Sequence, residues 1–140
     1  MVELNEGEIM KVIEVVKAKE PLKRLTEKRL SNYKVLRNLV KLGKSVDAEV
    51  EFYSEQEKKA VNQYAEKDEK GNPVFLTDGR LKLTDTNAKI AFETEISKLN
   101  ETEIDGITVV EIHESDFSSS SEFPTAVDML ALEPIVHFVD

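Results

Sequence analysis

The chain has 140 residues, 40% of them apolar and 34% charged, and a formal net charge of −9. That length fits one domain spanning 1–140 with a modest core, and the composition is that of a folded chain with much solvated surface, not of a disordered one. The negative balance speaks against general affinity for phosphate backbones, which draws on a positive footprint, and the lack of cysteine excludes disulfides, zinc knuckles, iron–sulfur clusters and thiol catalysis. The start carries neither a basic segment nor a long apolar one, and no stretch approaches the roughly 18 apolar residues of a membrane span. A cytoplasmic location is the expectation, with no membrane partner.

In chain order, Asn5 is placed to cap a first helix. Glu8 completes a capping box and Leu4 with Ile9 a hydrophobic staple. Ile9, Val12, Ile13 and Val16 then follow the spacing of one buried face, and Pro21 is expected to end this helix and open the next. From Pro21 to Asp68 the pattern stays helical, with Tyr33, Leu36, Val40, Gly43, Val46, Val50, Tyr53, Ala60 and Tyr64 in steps of three, four and seven. Unbroken, such a helix would run about 70 Å at 1.5 Å per residue, and something must cover its apolar side. Gly43 is the weak point: a continuous or kinked helix is favoured there over a break into a hairpin, because no proline or turn cluster accompanies the glycine.

Past Asp68 the period changes. Gly71 and Pro73 end the helix, and Asp78-Gly79 reads as a two-residue turn that would set Val74, Leu76, Leu81 and Leu83 on one face of a hairpin. Asp85 caps a third helix with the stripe Ala88, Ala91, Phe92, Ile96 and Leu99, ending near Asn100. Residues 102–112 read as a third strand, and residues 117–122, with four serines in a row, as a flexible loop. Pro124 opens a last apolar segment carrying Val127, Leu130, Ala131, Ile135 and Phe138, interrupted at Pro134. The fold class is therefore α+β: one long helix, two to three shorter ones and a small antiparallel sheet built on the hairpin.

Chemistry is harder to find. His113 and His137 stand apart without metal-ligand spacing, residues 68–72 resemble a calcium loop yet carry Lys70 where a ligand belongs, and the glycines form no phosphate cradle. Ser118 to Ser121 lack the context of an activated nucleophile, and Glu55/Glu57 and Glu93/Glu95 are spaced to point to different faces of a helix. No enzyme, cofactor or metal is expected. Two sets remain: Phe52, Tyr53 and Tyr64 as partner-facing candidates on the long helix, and Lys23, Arg24, Lys28 and Arg29 as the one local cluster suited to an anion.

The long-helix ending Asn62 to Val74, the Asp78-Gly79 turn, the helix start Thr84-Asp85, the step Glu101-Thr102-Glu103-Ile104 and the close Met129 to Ile135 resemble a family of small acidic proteins. That family is carried by tailed phages and prophages of Gram-positive bacteria and holds a domain of unknown function. The serine run departs from its pattern. The resemblance implies a phage origin and brings no catalytic residue. The expected role is protein–protein binding that modulates or inhibits a host factor, for example a defence component. The alternatives are a virion assembly component, which would place it in the virion, and an oligomer that sequesters a nucleotide signal. The long helix is the expected surface for any homo-oligomer.

Overall fold

The computed structural model describes residues 10–140. The capping signals at Leu4, Asn5, Glu8 and Ile9 lie outside the described residues. Its elements are β1 (Met10–Lys11), α1 (Val12–Thr26), α2 (Tyr33–Tyr64), α3 (Thr86–Asn100), β2 (Glu103–Ile104), β3 (Val110–His113), α4 (Ala126–Leu132) and β4 (Val136–Val139), an α+β arrangement.

The first helix starts later than its apolar spacing implied. Met10 and Lys11 are extended and pair antiparallel with Ile104 and Glu103, and α1 begins at Val12. The Glu14 carboxylate accepts the Lys11 backbone N–H at 2.9 Å, which satisfies one of the donors left bare at a helix start. The helix then runs through Pro21, contrary to the expected break there. Val15, Ala18, Leu22 and Leu25 are all buried, so continuing the helix keeps one apolar stripe against the core. A proline inside a helix costs about 3 kcal/mol, and burying side chains such as Leu22 and Leu25 at about 1.5–3 kcal/mol each outweighs it.

The break falls instead at residues 27–32. Asn32 caps α2 by accepting the backbone N–H groups of Lys34 and Val35, and its amide donates to Asp116 at 2.9 Å. Asp116 is buried, and its other oxygen accepts the His113 backbone N–H at 2.8 Å. The start of the long helix is thus tied to the end of β3. From there α2 continues unbroken for 32 residues, about 48 Å, straight through Gly43.

The core gathers around the first half of α2. Leu39, Leu42 and Val46 meet Val15, Leu22 and Leu25 of α1, Val110 and Ile112 of β3, and Leu132, Ile135 and Val136 near the C-terminus. The segment read as one strand, 102–112, is two. β2 pairs with β1, Gly106 takes φ +84 between them, and β3 pairs parallel with β4. Parallel strands need a long crossover, and residues 114–135 with α4 supply it. The last apolar segment therefore ends as a strand and docks on the body: Ile135 and Val136 are buried. Residues 117–122 carry a 3-10 turn, Ser120–Glu122, and are tied to residues 29–30. Leu30 bridges Phe117, the Ser118 N–H donates to the Arg29 carbonyl, and the Arg29 N–H donates to the Glu122 carboxylate.

Candidate protein-binding surface

The second half of α2 is covered differently. Its helical neighbour is α3, none of whose residues is buried, and the hairpin of residues 74–83 pairs with residues 65–67 just past its end. Asp85 does cap α3, accepting the Ala88 N–H at 2.8 Å. The hairpin departs from the expected two-residue turn. The Gly79 N–H donates to Leu76 and the Leu76 N–H to Arg80, so the loop is Thr77-Asp78-Gly79, closed by Gly79 at φ +88. Three-residue loops of this kind place a glycine in the left-handed region next to the returning strand. Phe75 consequently faces Leu81, and Val74 faces Lys82.

That one-residue shift splits the expected apolar face, because alternate residues point to opposite sides. Val74, Leu76, Leu81 and Leu83 no longer share a side. Phe75 is 61% exposed, Leu76 39% and Ile90 of α3 58%. Between the hairpin and α3 lies an open concavity of about 600 Å³ with Leu76, Leu81, Leu83 and Phe92 in its walls and Arg80, Lys82 and Glu93 around them. A second groove, of about 440 Å³, runs between α2 and α3, with Phe52, Ala60, Ile96 and Leu99 in its walls.

Of the aromatic candidates, Phe52 is 45% exposed in this second groove. Tyr53 turns to α3, where its hydroxyl donates to the Asn100 side-chain oxygen at 2.6 Å. Burial, with the Glu57 carboxylate nearby, pushes the Tyr53 phenol up from its ordinary value. Tyr64 closes α2, half-buried, and its carbonyl accepts the Thr84 N–H. Phe75 and Ile90 were not among the partner-facing candidates of the sequence, and Leu76 was expected on the hairpin's half-buried face. Ile90 did carry a signal, since it falls outside the stripe Ala88, Ala91, Phe92, Ile96 and Leu99.

The basic cluster does not converge. Successive helix residues point about 100° apart, so Lys23 and Arg24 part company. Arg24 makes two hydrogen bonds to the Asp128 carboxylate of α4, at 2.9 and 2.8 Å, and Lys28 adds to the positive field there. The hydrogen bond from Arg24, against the opposing cost of burial, holds the Asp128 carboxyl below the usual carboxylate range. The anion at this cluster is supplied by the chain itself. Lys23 looks instead into a groove between α1 and α2.

The two histidines, apart in the sequence, lie on paired strands and both neighbour Glu111. His113 Nε2 lies 3.3 Å from Glu111 Oε1 on exposed surface, and His137 sits on β4 opposite Glu111. Among the described residues no group of three His, Cys, Asp or Glu side chains could hold a metal ion, and no helix is long and apolar enough to cross a membrane. No protein-family model, curated protein or solved structure matches the chain.

Proposed function

We propose that the chain works by binding another protein, without turnover, and that it does so through the surface formed by α3, the hairpin and the second half of α2. The observation that carries this reading is α3 itself: a capped helix of 15 residues with none buried, its own Ile90 58% exposed, sharing an open concavity with Leu76, Leu81 and Leu83 of the hairpin, whose Phe75 is exposed as well. Exposed apolar residues scattered singly are ordinary, but a concavity with large apolar walls and a mixed polar rim is the anatomy of a protein contact. Phage origin, as the resemblance implies, would make the partner a host factor or a virion component. The sequestering alternative is less well supported, because Arg24 is already engaged by Asp128.

The test is photo-crosslinking from position 90, with a benzophenone amino acid installed there in the full chain. A discrete protein adduct that disappears on Phe75→Glu is expected. Crosslinking that is diffuse, or indifferent to Phe75→Glu, would overturn this assignment of the surface.

A further inference from the structure

The helices α1 and α2, with the short connection 27–32, form a helical hairpin with two sides. On one side Arg24 of α1 meets Asp128 of α4, and α2 packs on β3, with Leu42 in the core alongside Val110 and Ile112. On the other side nothing of the described chain lies over the groove. Its walls are Lys19, Leu22, Lys23 and Thr26 from α1, and Leu39, Val40, Gly43, Lys44, Val46 and Asp47 from α2, around about 460 Å³.

Three features converge there. The floor is apolar, with Val40 47% exposed above the buried Leu22, Leu39 and Val46. The rim is cationic: no carboxylate of the described residues makes an ion pair with Lys19, Lys23 or Lys44, and Asp47 is the one acidic lining residue. The third feature is Gly43, in the middle of a helix where glycine is the poorest former after proline. A Cβ built on Gly43 meets nothing within 4 Å, so no neighbour among the described residues requires the glycine. A missing side chain at a groove does allow a backbone from outside to approach closely.

We propose that this groove is a docking site for an amphipathic helix of another protein, one with acidic residues flanking its apolar ridge. A third helix laid between two antiparallel ones gives the packing of a helical bundle. Its carboxylates would meet Lys19, Lys23 and Lys44 on a chain whose overall charge of −9 would otherwise repel them. The site is separate from the surface formed by α3 and the hairpin and stands without it.

Three labelled 18-residue peptides test this by fluorescence anisotropy against the full chain. One has leucines at helical spacing with glutamates beside them, one has lysines replacing the glutamates, and one is a shuffled form of the first. The first is expected to bind saturably, and the other two at least tenfold more weakly. Gly43→Leu should raise the melting temperature and yet weaken the acidic peptide at least tenfold, a pairing of effects that a purely structural glycine would not give. Lys44→Glu should weaken it several-fold, and Ile90→Glu should leave it unchanged. No saturable binding, equal binding of the three peptides, or indifference to both Gly43→Leu and Lys44→Glu would overturn the proposal. So would sedimentation showing that the chain alone self-associates through this groove and loses that association on Lys44→Glu, because the occupant would then be a second copy.

Discussion

The two halves of α2 are one continuous helix in two environments. Leu39, Leu42 and Val46 in the first half are at most 3% exposed, enclosed by α1, β3 and the C-terminal segment. In the second half Ala60 is the one buried residue of the helix, and α3 beyond it buries none. The apolar stripe thins in the second half, with none of its residues between Tyr53 and Ala60, and the rest of the chain brings less to cover it. One half holds the fold, and the other holds its neighbours loosely and keeps apolar surface outward.

Truncation should expose that contrast most strongly. Leu39→Ala is expected to cost about 2–5 kcal/mol, as for a fully buried leucine that leaves a cavity. Ile96→Ala, half-buried on α3, should cost about 1–2 kcal/mol, since it removes less buried area and leaves a site open to water. Urea unfolding measures both. Equal losses would break the comparison and make the second half a core in its own right.

The Asn32 cap joins the two levels of structure, so its loss should be the next largest. Asn32→Ala removes the cap of α2 and takes one donor from buried Asp116. A cost of about 2 kcal/mol is expected, from a typical cap plus an unmet buried acceptor. A change below about 0.5 kcal/mol would mean that the first turn of α2 is held by packing alone.

Local signals in the sequence were legible where chemistry acts over a few residues. The Asp85 cap, the α3 boundaries near Thr86 and Asn100, and the unbroken helix at Gly43 follow from such signals. What escaped depended on partners far along the chain. Pro21 stays inside α1 because Leu22 and Leu25 have a core to enter, which spacing alone does not reveal. β4 is a strand because β3 lies 26 residues earlier in register with it, Val110 against Val136. The hairpin shift turned on one hydrogen bond, Gly79 N–H to Leu76, that a two-residue and a three-residue loop assign differently. The candidate surface was half legible: Phe52 through its place on α2, Ile90 as an apolar residue out of phase, and Phe75 only once the register was known.

Acid should act on the contact between α1 and α4 through Asp128. Its folded carboxyl is held below the unfolded value of about 3.9, chiefly by the hydrogen bond from Arg24. The contribution is therefore present above about pH 4 and lost as pH falls through the lower folded value. Asp128→Asn should lower the melting temperature at pH 7 and differ progressively less from the parent chain below pH 4. A constant difference across that range would show that the substitution acts through packing and not through charge.

The Ile90 prediction has the smallest effect and the sharpest consequence. At 58% exposure Ile90 leaves most of its side chain in water, so Ile90→Ser should change stability by no more than about 0.5 kcal/mol. Helix propensity adds only a few tenths, because isoleucine and serine rank close together. Neutrality to its own fold is what the proposed place of Ile90 on a binding surface requires. Denaturant unfolding of Ile90→Ser, run beside Leu39→Ala, decides the point: a loss above about 1 kcal/mol would place Ile90 in the fold's interior and remove α3 from the binding surface.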